Sequence, residues 1–293
     1  MLTVKDAYKN IRRIQIKITR NVDDLFAGIY RSVFKGKGLE FEDVREYQPG
    51  DDIRSIDWNV SARTGNTYVK NFREERELTV MLVVDVSASG LFSHTDRAKC
   101  ELIAEIGALL AFSAIKNQDK VGLLLFSSEV ELYLKPKKGT RHILRIIREL
   151  LFFQPAHKGT NIEKALEFIG RVERKKAICF LISDFITDEN LDHEATILSR
   201  HHELIAIQVY DKFERSFPPL GLVHLKDLES NLMQLIDTSD KAVQALFRKK
   251  ANEKQSKLKH LMNRLGAGFI SIASDESYTD ALRKFFKHRS RRK

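Results

Sequence analysis

Four short, almost uninterrupted apolar runs constrain this chain more than any other feature. They are "LTVMLVVDV" from Leu78, "AICFLIS" from Ala177, "HELIAIQVY" from His202 and "GFISIAS" from Gly268. Each has the length and β-branched content of a buried strand rather than of a helix. Between them lie stretches with helical spacing: a helix over about Asp96 to Lys116, "RHILRIIRELLFF", "IEKALEFIGRVE", and a long basic helix from about Asp240 to Leu265. Strands that alternate with helices imply right-handed crossovers and a mainly parallel sheet covered on both faces. "KVGLLLFSS" and "VELYLKP" flank a short turn and read as a hairpin, while "GLVHLKDLE" and "LMQLID" are short strand candidates. The predicted fold class is therefore α/β, a mainly parallel doubly wound sheet over residues 76–293, with an N-terminal helical and irregular extension over residues 1–75.

The extension has its own pattern. Ile11, Ile14, Ile18, Val22, Leu25 and Ile29 recur at spacings of three and four, which predicts a helix over about residues 1–30. The following "GKGLEFEDVREYQPGDDIRSIDWNVSARTG" is dense in turn signals and paired charges. Pro49-Gly50 forces a turn, and Asp51 and Asp52 are suited to cap a short helix through Asp57. Trp58, the only tryptophan, is expected to pack that helix against the main body, and Arg45, Arg54 and Arg63 to pair with nearby carboxylates as a structural clasp.

Composition narrows the setting. A chain that is 43% hydrophobic and 31% charged, with only 5 prolines, is globular rather than disordered. The 2 cysteines, Cys100 and Cys179, sit in apolar segments without C-x-x-C spacing, which fits a reducing compartment. The opening residues carry no apolar core of a secretory signal, and "LIAEIGALLAFSAI" is too short to span a bilayer and holds Glu105. A cytoplasmic location is expected. The formal charge of +10 comes from basic residues interleaved with Glu and Asp, as on solvated helix faces, with peripheral membrane contact the other use of such a charge.

The ends of the strands carry the chemistry. The run from Leu78 delivers Asp85, Ser87 and Ser89 at every second position; Asp184 ends the run from Ala177; Thr160, in "HKGTNIEKAL", heads the helix that leads to it. In open parallel sheets, sites form at the carboxyl ends of strands where strand order reverses. Two carboxylates and three hydroxyls, without nitrogen or sulfur, suit a hard divalent ion, Mg²⁺ or Mn²⁺. The same residue types also form turns and helix caps, so each one alone has a purely structural reading.

"DVSAS", "GTN" and "ISD" on this succession of elements resemble the von Willebrand factor A-type domain with its metal-ion-dependent adhesion site. That resemblance implies a mainly parallel sheet with one antiparallel edge strand. It also implies Asp85, Ser87 and Ser89 as ligands from a first loop, Thr160 from a second and Asp184 from a third. The stretch from Tyr30 to Glu77 is similar to the bacterial family catalogued as domain of unknown function fifty-eight, whose members join such a segment to an A-type domain. Asp51, Asp52, Arg54, Asp57 and Trp58 form a motif specific to that family, of undefined role. The resemblance implies a metal-dependent protein-interaction module that accepts an acidic partner residue, working as an adaptor beside a MoxR-type AAA+ ATPase in assembly or maturation of protein complexes.

Two other classes are set beside it. A Mg²⁺-dependent phosphotransferase or phosphatase with Asp85 as nucleophile would want a second Asp two residues later, where Ser87 stands. No P-loop, Gly-x-Ser-x-Gly elbow or His-Glu-x-x-His motif is present either, so no enzyme is expected. Adjacent His201 and His202 would face opposite ways on a strand, and neither reads as a ligand. Nucleic-acid binding would use Arg248, Lys249, Lys250, Lys254, Lys257 and Lys259, but the same helix carries Val243, Leu246, Phe247, Leu258, Leu261 and Leu265 as a core-facing stripe. A covering helix is the expectation.

Overall fold

The fold comes from a computed structural model that describes residues 40–291 apart from 74–76, 95–97, 188, 190, 227 and 229–231, with backbone alone for 40–42 and 71–73. The helix expected over residues 1–30 lies outside the described residues. The described residues up to Leu78 form one compact unit and those from Thr79 another.

In the small unit, strand β1 (Glu40–Glu46) pairs antiparallel with β2 (Tyr68–Arg73), joined by a 3-10 turn at Ile53–Ser55 and helix α1 (Trp58–Thr64). The turn-rich sequence concealed β1, whose polar residues lack the apolar alternation of a half-buried strand. The capping differs from expectation as well. Asp52 caps only the 3-10 turn, accepting from the Arg54 amide, whereas Asp57 caps α1 by accepting from the Asn59 and Val60 amides. Asp51 instead takes a two-pronged bond from Arg45 (2.8 and 2.7 Å) and the Gln48 amide, so its charge fastens the Pro49-Gly50 turn to β1. Arg54 and Arg63 make no ion pair among the described residues. Trp58 is 68% exposed, so its ring does not pack within this unit as an anchor would.

The large unit is built on six strands in the order β10-β7-β6-β3-β4-β5. These are β3 (Thr79–Asp85), β4 (Lys120–Phe126), β5 (Val130–Lys137), β6 (Ile178–Ser183), β7 (Glu203–Tyr210) and β10 (Gly268–Ala273). Every pairing is parallel except the β4–β5 hairpin at one edge, so the sheet has the arrangement read from the apolar runs. The residues of β3 from Val80 to Val84 are buried, as expected of a central strand covered on both faces.

Helices α2 (Lys99–Lys116), α3 (Thr140–Phe152), α4 (Ile162–Val172), α5 (Asp192–His201), α6 (Lys241–Arg264) and α7 (Tyr278–Ser290) cover the sheet. One apolar layer joins Met81 and Val83 of β3 to Ile162, Ala165 and Leu166 of α4, Leu198 of α5, and Leu258, Leu261 and Met262 of α6. On the other face α2 buries Leu102, Ile106 and Leu109, and Phe180 of β6 meets Phe286 of α7 edge to face. Gly122 in β4 is required by this packing: a Cβ there would lie 2.4 Å from the Met81 sulfur and 3.0 Å from the Leu134 carbonyl oxygen.

The short strand candidates are strands, and they form a separate antiparallel pair, β8 (Leu222–Lys226) and β9 (Met233–Asp237). One expectation is adjusted. In α6 the buried stripe is confined to the C-terminal half; in the first turns the Phe247 ring meets Phe217 at 4.4 Å between centroids, while Leu246 is 56% exposed.

Candidate functional site

Strand order reverses between β3 and β6. The chain leaves β3 toward β4 and β5 on one side, and later strands β6, β7 and β10 build the other. The loops after β3 and β6 diverge at this point and leave a crevice at the carboxyl ends. Asp85 is the last residue of β3, and Asp184 follows the last residue of β6.

The first loop is organised by its own side chains. The Ser87 amide donates to Asp85 Oδ1 at 2.9 Å, and the Ser87 and Ser89 hydroxyls lie 2.9 Å apart. A 3-10 turn from Ala88 to Leu91 follows. Asp85 Oδ2 accepts from the Ser183 hydroxyl at 2.6 Å, which ties the end of β3 to the end of β6. Burial, reinforced by the nearby Asp184 charge, pushes the Asp85 carboxyl up to about 7. Asp184 is thus near enough to act on Asp85, while its own charge is met by a buried cation, Lys99.

The second loop approaches the first through its backbone: the Ala88 amide donates to the Lys158 carbonyl at 3.0 Å. The Asn161 amide bonds the Ser127 carbonyl at 2.8 Å, and Asn161 caps α4 through the Lys164 amide. Thr160, half-buried, lies between these two anchor points. Glu131 at the β4–β5 hairpin also grips this loop, accepting from the Ser127 hydroxyl (2.6 Å), the Ala156 amide (3.2 Å) and the His157 amide and ring (3.0 Å each).

The third loop holds Asp184 with one oxygen on each of two donors. Oδ1 accepts from the Ile186 amide at 3.1 Å, and Oδ2 from the Lys99 ammonium at 2.7 Å. Lys99 is wholly buried and also donates to Glu214, in a 3-10 turn after β7. Burial pulls the Lys99 proton affinity down, but Asp184 and Glu214 outweigh it, and the group lies above its ordinary value. Glu214 in turn accepts from the Asp211 amide at 2.9 Å, and Asp211 holds His94 by ring (2.6 Å) and amide (3.0 Å). Beside this loop, an open cleft of about 880 Å³ separates Phe185, Thr187 and Glu189 from Lys257, His260 and Arg264 of α6.

The structure thus gathers Asp85, Ser87 and Ser89 at one strand end, sets Asp184 at the next, and ties the loop bearing Thr160 against the first. The donor set is all oxygen, which fits Mg²⁺ or Mn²⁺ in chemistry. Sequence reasoning missed Ser183, Lys99, Glu214 and Glu131. The clue to Lys99 was its place at the head of the stripe Lys99, Leu102, Ile103, Ile106, where helical spacing puts it on the buried face. His202 is buried and its Nδ1 accepts from the Ala177 amide at 3.2 Å, a role in the fold.

The family model described as "Protein of unknown function DUF58" matches residues 43–257. The chain belongs to that family. Among DUF58-like relatives, the uncharacterized protein Rv1480 of Mycobacterium tuberculosis (strain ATCC 25618 / H37Rv) is 27% identical over 283 residues, covering 96% of this chain and 89% of that one. The uncharacterized protein YeaD of Bacillus subtilis (strain 168) is 25% identical over 148 residues, 50% of this chain and 35% of that one. Solved structures similar to this DUF58 chain include an aerotolerance-related membrane protein from Bacteroides fragilis NCTC 9343, with TM-score 0.48, 15% identity and coverage of 74% and 100%. Another is the SpRpn10 VWA domain, with TM-score 0.41, 9% identity and coverage of 71% and 94%. The fold assignment stands on the sheet order and the single antiparallel edge strand. Among the described residues, no helix of this DUF58 protein is long and apolar enough to cross a membrane.

Proposed function

We propose that this protein is a metal-dependent protein-interaction module that engages an acidic side chain of its partner. The observation that carries the reading is the convergence of Asp85, Ser87 and Ser89 with Asp184 across the point where strand order reverses. Asp85, Ser87, Ser89, Thr160 and Asp184 would hold the ion, Mg²⁺ or Mn²⁺. When bound, that ion supplies a concentrated positive charge which two carboxylates do not overcompensate, so an incoming Asp or Glu is attracted.

The remaining work falls to the chain. Ser183 and the Ser87 amide fix the Asp85 carboxylate, Lys99 and the Ile186 amide fix Asp184, and Glu131 holds the Thr160 loop in reach. The cleft beside the third loop offers a partner segment a place to lie against mixed charges of α6. The family resemblance supports a MoxR-type AAA+ ATPase as that partner, with this chain a cytoplasmic adaptor in assembly or maturation of protein complexes. The reading is non-enzymatic, since Ser87 stands where a phosphotransferase of the aspartate-nucleophile type would place its acid/base carboxylate.

Isothermal titration with Mn²⁺ and Mg²⁺, followed by capture of the candidate ATPase, tests the reading. Asp85→Asn is the better variant, because truncating Asp184 would leave the Lys99 ammonium buried without that partner. The wild type should bind the ion and capture the ATPase, and both should be lost in Asp85→Asn and in EDTA, with the circular dichroism spectrum retained. Undiminished capture in EDTA would overturn the metal-bridged mechanism.

A further inference from the structure

Lys99 stands in a place that helix electrostatics does not explain. It is the first residue of α2, where the unsatisfied amides favour an anion, and it is wholly buried, where an ammonium is costly. Its two partners account for it: Asp184 Oδ2 at 2.7 Å, and Glu214. Asp184 is also the third-loop residue of the candidate metal site, and its other oxygen already accepts from the Ile186 amide. The ammonium thus sits on one oxygen of the same carboxylate that would help to hold a divalent ion.

Charge counting sharpens the point. Lys99 and Glu214 cancel in charge, which leaves Asp85 and Asp184 as the carboxylates that a divalent ion would meet. An ion joined to Asp184 nevertheless comes within a few ångströms of the ammonium, and two cations that share one carboxylate repel. The ammonium must then move toward Glu214 or remain and be opposed, and either outcome weakens metal binding. In the ion's absence, the same ammonium keeps Asp184 from being left as a bare buried charge.

We infer that Lys99 is a tethered cation that shares Asp184 with the divalent ion and holds the site's affinity for that ion low, an inference that rests on the metal reading above. The experiment is Mn²⁺ titration calorimetry on the full chain, comparing wild type with the double variant Lys99→Met/Glu214→Gln. That variant removes one charge of each sign and leaves the net charge of the pocket unchanged. It should bind Mn²⁺ roughly tenfold more tightly than wild type, while its melting temperature in EDTA falls. Lys99→Gln/Glu214→Gln, which retains amide hydrogen bonding in the pocket, should tighten binding in the same way and serves where the first variant does not fold. Equal or weaker Mn²⁺ affinity in a folded variant overturns the inference, since Lys99 would then only position Asp184. Absence of Mn²⁺ binding to wild type and variants alike overturns the metal reading itself, and this inference with it.

Discussion

Strain is stored beside the site in a single residue. Phe185, directly after Asp184, has φ of 58°, a left-handed conformation that costs a residue with a Cβ roughly 1–2 kcal/mol. The Phe185 amide donates to Ser183 Oγ at 2.9 Å and the Ile186 amide to Asp184, so the unusual turn aims both site-facing side chains. The ring itself is buried in the apolar layer with α4 and α5. Phe185→Gly would relieve the backbone but empty the ring's space, which in cores costs about 3–5 kcal/mol. Burial wins, and the variant should be less stable by about 1–4 kcal/mol in urea unfolding; a variant more stable than wild type would show that strain dominates instead. The candidate residues Asp85, Ser87, Ser89 and Asp184 were legible because each is a local anomaly, a polar group at the end of an apolar run. Lys99 and Ser183 were not, because their meaning depends on partners 85 and 98 residues away in sequence.

At the level of elements, the hairpin and the loop that bears Thr160 are joined by one carboxylate. Against burial, which alone would raise it, the Ser127 hydroxyl and the His157 and Ala156 amides hold Glu131 down to about 2 from an ordinary 4.5. The sign follows from linkage. A depressed carboxyl contributes stability that is present above its unfolded value and is lost as pH falls from 4.5 through the folded value of about 2. Glu131→Gln should therefore melt below wild type at neutral pH, and the gap should narrow in thermal melts as pH drops from 4.5. A constant gap would mean that the charge contributes nothing to these bonds. Elements with strong periodicity, the sheet strands and α2, α3, α4 and α6, were legible because packing against the core demands it. Strand β1 was not, since Glu40, Asp43 and Glu46 read as loop, and the backbone pairing with β2 that makes it a strand leaves no apolar alternation in the sequence.

For the whole molecule, the formal charge of +10 is an excess of basic residues over acidic ones, several of which pair across elements of the large unit. Arg264 meets Asp192 at 2.8 Å, Arg289 meets Glu203 at 2.5 Å and Lys212 meets Asp275 at 2.6 Å. Basic residues that already share a carboxylate partner add little to the attraction for polyanions, and salt screens what they add. The protein should elute from duplex DNA resin below about 0.15 M salt; retention well above that would make nucleic acid the partner.

The reversal of strand order between β3 and β6 also has a consequence for synthesis. Asp85 and its Ser183 clamp are separated by 98 residues, so β3 can pair with β4 early but has no neighbour on its other edge until β6 is made. At roughly 5–20 residues per second, that edge waits about 5–20 seconds on the ribosome. Through that interval a bare strand edge, apolar from Val80 to Val84, is open to wrong pairings, and a chaperone that shields it would shield the half-built site as well.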